Sequence, residues 1–157
     1  MDEVKRLELI TESVLYCRHV KDLGMPASCY TKALREPIHF LWERRSGPKL
    51  QVAAYCSKAA VGLRFGKGEI IYDHAVPFRY LQEELLALEP VTQEAVRQVL
   101  ERFGTIVLVT KAESAKLDEN GYSHNMPDGW DRVNLLARYN ALGIELVANP
   151  GRGGSGA

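Results

Sequence analysis

The run Thr105-Ile106-Val107-Leu108-Val109 restricts the fold of this chain more than any other stretch. All of it but Leu108 is β-branched, and it is almost wholly apolar, so it reads as a strand covered on both faces. Helical patterns flank it. Gln93 to Phe103 carries Val96, Val99, Leu100 and Phe103 on one face, with Thr92 as its N-cap and Gly104 where a helix end favours glycine. After the strand, Thr110 is placed to cap a helix over Lys111–Leu117. A buried strand set between amphipathic helices predicts an α+β fold in which a small sheet is enclosed by helices.

The other segments fill in that plan. Residues 2–18 predict a helix with Val4, Leu7, Ile10 and Val14 as its apolar stripe. Ser28 is a candidate cap for a second helix, which Pro37 interrupts. Ile38, Phe40, Leu41 and Trp42 form an apolar block expected in the core. Leu50–Ala54 is a candidate strand and Ser57–Ala60 a short helix, while Gly66-Lys67-Gly68 marks a tight connection into a strand at Glu69–Tyr72. A helix is expected over Phe78–Leu88, another over Asn134–Leu142, and a last strand over Ile144–Val147. Residues 122–131 (YSHNMPDGWD) read as an irregular loop after the turn at Asn120-Gly121.

The 157 residues suit one domain, expected over residues 1–149, with a glycine-rich disordered tail at 150–157. Twenty basic and twenty acidic residues cancel to zero net charge, which excludes a general polyanion binder and leaves only a local basic face for nucleic acid. No apolar run approaches the roughly 18–20 residues a membrane span needs. The opening MDEVKRLEL has no hydrophobic signal core, so a cytoplasmic location is expected. Cys17, Cys29 and Cys56 have no metal-type spacing, and an odd count reads as free thiols in a reducing compartment.

The chemistry-bearing residues cluster around two of these segments. Asp73 and His74 follow the Glu69–Tyr72 strand and precede Pro77; Glu113 lies in the first turn of the helix after the second strand. Pairing of the two strands gives a strand–strand–helix unit whose connection is lengthened by two helices, with Asp73 and His74 at one end near Glu113. A carboxylate holds a hard cation such as Mg2+ (or Mn2+) through oxygen, and a neutral histidine beside it takes a proton from water. That combination supports phosphodiester hydrolysis. The plainer reading makes Asp73 and His74 a helix cap and a satisfied polar neighbour, and makes Glu113 a complement to the helix dipole.

Asp73-His74-Ala75-Val76-Pro77 resembles the D-H-(I/V)-V-P motif that opens many HNH, or ββα-metal, endonuclease domains. Val107 to Glu113 is similar to the later strand-to-helix segment of those domains. The resemblance covers roughly residues 68–77 and 105–118. It implies a helix-rich α+β domain around a small antiparallel sheet containing a ββα-metal-like unit. It also implies His74 as general base, Asp73 as metal ligand and Glu113 at or beside the metal. Ser114, Ala115 and Lys116 stand where the family places an asparagine or histidine, and His124 or Asn125 in the following loop supplies the missing residue type. His124 is therefore the third expected ligand. The expected partner is DNA, met by Arg44, Arg45, Lys111 and Arg138, in the setting of a mobile element or a defence system. The alternative is an HNH-like binding protein that does not cleave and instead regulates or inhibits a nucleic-acid enzyme through a protein contact. Glycine-rich phosphate loops, dinucleotide fingerprints and the G-x-S-x-G elbow are absent from the sequence.

Overall fold

A computed structural model describes residues 1–64 and 67–152. Gly66, in the expected glycine turn, and residues 153–157 of the expected tail lie outside the described residues. In chain order the α-helices are α1 (Glu3–Asp22), α2 (Thr31–Pro37), α3 (Lys49–Val52), α4 (Phe78–Leu86), α5 (Gln93–Phe103), α6 (Lys111–Glu119) and α7 (Ala137–Ala141). The strands are β1 (Tyr55–Ser57), β2 (Ile70–His74), β3 (Ile106–Thr110) and β4 (Leu146–Ala148). The chain divides into two compact units, each discontinuous in sequence: residues 1–45 with 78–104, and residues 46–77 with 105–157.

The first unit is helical. In α1 the buried side chains are Leu7, Ile10, Thr11, Val14 and Cys17, while Val4 is exposed because the stripe turns outward at the helix start. Pro37 ends α2 without ending the coil: the backbone continues as a π-helical turn over Ile38–Glu43. Ile38 and Trp42 of that turn are buried and Phe40 faces outward, so the expected core block is only half core. Thr92 caps α5, its hydroxyl accepting from the Ala95 amide at 3.1 Å. Gly104 follows at φ −86°, outside the left-handed region. Glycine is required there for space, since a Cβ would stand 2.3 Å from the Leu100 carbonyl oxygen.

The second unit is built on one four-stranded sheet in the order β2-β3-β1-β4. The sheet is mixed rather than wholly antiparallel: β2 runs antiparallel to β3 and β4 antiparallel to β1, but β1 and β3 are parallel. The strand expected at Leu50–Ala54 is displaced, because Lys49–Val52 makes a helical turn and pairing starts at Tyr55. β3, the β-branched run, is buried from Ile106 to Val109 and lies between β2 and β1. Its alternating side chains divide the apolar packing in two. Ile106 and Leu108 join Ala53, Cys56, Ala60 and Ile70 on one face; Val107 and Val109 join Ala75, Leu117, Tyr139 and Ile144 on the other. Thr110 caps α6 through its hydroxyl and the Glu113 amide at 3.1 Å. Among the described residues no helix is long and apolar enough to cross a membrane.

Candidate functional site

β2 delivers Asp73 and His74, and strand geometry separates them at once. Successive side chains on a strand point to opposite faces. Tyr72 packs against the Ile70–Ile106–Leu108 face, and His74 shares that face, its ring edge-on to Tyr72 at 5.7 Å. Asp73 points to the other face, where α7 lies. Its Oδ2 accepts from Arg138 Nη2 at 2.7 Å and from the Tyr139 hydroxyl at 2.5 Å.

Arg138 is the centre of that network. Its side chain is 1% exposed, against 24% for Asp73. Beyond Asp73, the guanidinium donates to the Ala75 carbonyl at 3.0 Å, the Tyr122 carbonyl at 2.6 Å and the His74 carbonyl. One side chain therefore ties together the end of β2, the loop after α6 and α7. The rigid fork of donors suits this role in a way an ammonium does not. Tyr139 is buried, and that burial, followed by the adjacent Asp73 charge, holds its phenol well above the ordinary tyrosine range.

Glu113 stands elsewhere. Ser57, at the end of β1, donates its hydroxyl to Glu113 Oε1 at 2.9 Å. In the β2–β3 register Thr110, the last residue of β3 and the cap of α6, faces Ile70, whereas His74 faces Ile106. Four strand steps lie between these positions, about 13 Å at ~3.3 Å per residue. Glu113 is thus at the opposite end of β3 from the Asp-His pair, and it leans toward β1 rather than β2. This corrects the expected proximity of Glu113 to Asp73 and His74: α6 starts at the end of β3, and because β2 runs antiparallel to β3 the end of β2 that carries Asp73 and His74 lies beside the start of β3.

His124 is exposed in the loop after α6. Among the described residues, no group of three or more His, Cys, Asp and Glu side chains is placed to hold a metal ion. The expected ligands Asp73, Glu113 and His124 therefore do not come together, and these residues do not fit a Mg2+ or Mn2+ centre. Asp73 already accepts from the Arg138 guanidinium and the Tyr139 hydroxyl at Oδ2.

The expected nucleic-acid contacts differ in exposure and pairing. Arg138 is withdrawn from the surface by its pairing with Asp73. Arg45 lies over the Trp42 ring at 3.8 Å and donates to the Trp42 carbonyl at 2.7 Å. Arg44 and Lys111 are exposed. Sequence reasoning missed Tyr139 and Ser57. For the Asp73–Arg138 pair a signal was present: Asp73 is the lone acid between Ile70 and Val76 and Arg138 the lone base between Leu135 and Leu142, and a charge that is buried with such a segment needs a partner. Comparison with known protein families, with curated proteins and with solved structures finds no match to this chain.

Proposed function

We propose that this chain is a binding protein on an HNH-like scaffold, which acts as a regulator or inhibitor of a nucleic-acid enzyme without cleaving nucleic acid itself. The observation that carries the reading is the occupation of Asp73 by Arg138 and Tyr139. A buried guanidinium satisfies the carboxylate and repels a second cation at short range. The zero net charge and the loss of Arg138 from the surface favour a protein partner over a free polyanion.

The antiparallel pairing of β2 with β3, followed directly by α6, favours a second reading: hydrolysis of DNA phosphodiester bonds with His74 as general base. The two readings part in one experiment. The purified chain is incubated with supercoiled plasmid in Mg2+ and in Mn2+, beside the His74→Ala variant, and nicking is followed on gels. No nicking by either protein is expected. Nicking that His74→Ala abolishes overturns the binding-protein reading and establishes hydrolysis.

A further inference from the structure

Glu113 was singled out for chemistry near Asp73, and it has a different neighbourhood. Its Oε1 is fixed by Ser57, whose side chain is itself directed: the hydroxyl donates to Glu113 and accepts from the Ala60 amide at 3.1 Å. Its Oε2 is buried and has no hydrogen-bond partner among the described residues. A buried carboxylate oxygen without a donor is costly, and a donor brought by a ligand relieves that cost.

The same glutamate lines a cleft of about 470 Å³, together with Lys58, Lys116, Ile144 and Glu145. That volume falls within the range of about 300–1,000 Å³ typical of small-molecule sites. Ala59 and Ile144 give its lining apolar surface, and Lys58 and Lys116 give it two cations. Lys58 pairs with Glu145 at 3.3 Å, with both side chains more than 70% exposed, so the pair is readily exchanged for another anion. Lys116 donates to the Leu142 carbonyl at 2.8 Å and has no acidic partner among the described residues. To meet a ligand in the cleft the carboxylate turns about its terminal torsion, which is broad in glutamate, and releases its bond to Ser57.

We propose that this cleft binds a small molecule presenting an N–H donor to Glu113 and an anionic group to Lys58 and Lys116. The ligand supplies the donor that Oε2 lacks, while its anion replaces Glu145 at Lys58. Two classes carry both features at this size: a nucleoside monophosphate whose base has N–H donors, and a basic amino acid. The site is independent of Asp73 and His74, so its fate does not depend on whether the chain cleaves nucleic acid.

The test is an amide NMR titration of the full chain with GMP and, separately, with arginine. The controls are guanosine and agmatine, which lack the anion. The expected result is saturable shifts with at least one anionic probe, confined to the amides around Ser57–Ala59, Glu113–Lys116 and Gly143–Glu145. Glu113→Gln replaces the acceptor with a donor and weakens that binding by about tenfold or more. Lys116→Ala removes one of the two cations together with its bond to the Leu142 carbonyl, and weakens binding of the anionic probe while leaving that of its control unchanged. A response to GMP alone identifies a nucleotide site, and a response to arginine alone an amino-acid site. No saturable shift with either, or binding indifferent to both substitutions, overturns the proposal.

Discussion

Arg138 Nη2 donates to Asp73 Oδ2 at 2.7 Å, joining residues 65 positions apart through a guanidinium that is 1% exposed. Removing one member of a buried pair strands the other, at a cost of about 3–5 kcal/mol. Arg138→Met is expected to destabilise the chain by that amount, read as a lowered urea midpoint. Replacing both partners, in Asp73→Leu with Arg138→Met, recovers only part of the loss. The carbonyls of His74, Ala75 and Tyr122 still lack the donors that Arg138 supplied.

Tyr139 makes alkaline stability a measure of the same network. Burial and the Asp73 charge raise its phenol well above the ordinary value of 10.0. Below that value both folded and unfolded chains hold the proton, and the contribution to stability is complete. Above it the unfolded chain loses the proton first, so the folded chain binds more protons and stability falls as pH rises. Urea midpoints measured from neutral to strongly alkaline pH are expected to fall more steeply in the natural chain than in Tyr139→Phe. Equal slopes would remove Tyr139 from the account.

The three thiols are expected to react unequally. Cys29 is exposed, whereas Cys17 and Cys56 are buried. Burial pushes both buried thiols up, and the Glu113 charge adds to the effect at Cys56. The thiolate is the reacting form. A thiol reagent at neutral pH is therefore expected to modify Cys29 rapidly and the other two only after unfolding, as counted by mass spectrometry with and without urea.

Local sequence determined the elements whose causes are local. The β-branched run Ile106–Val109 became the buried strand β3, and Thr92 and Thr110 cap the helices after them because a hydroxyl needs only the amide three residues on. At two places the same scale left the backbone a second choice. Pro37 ends an α-helix but is tolerated at the start of a π-helical turn, and Leu50 joins a helical turn instead of a strand.

The site was decided by the tertiary structure. The motif Asp73-His74 is plain in the sequence, and alternation along a strand already sends the two side chains to opposite faces. Nothing local says what waits on each face. Asp73 meets Arg138 and Tyr139 because α7 packs there, and Glu113 meets Ser57 because β1 lies on the far side of β3 from β2. A charged group removed from water takes whichever partner the fold brings within hydrogen-bond distance, and that partner is set by packing across tens of residues rather than by its neighbours in the chain.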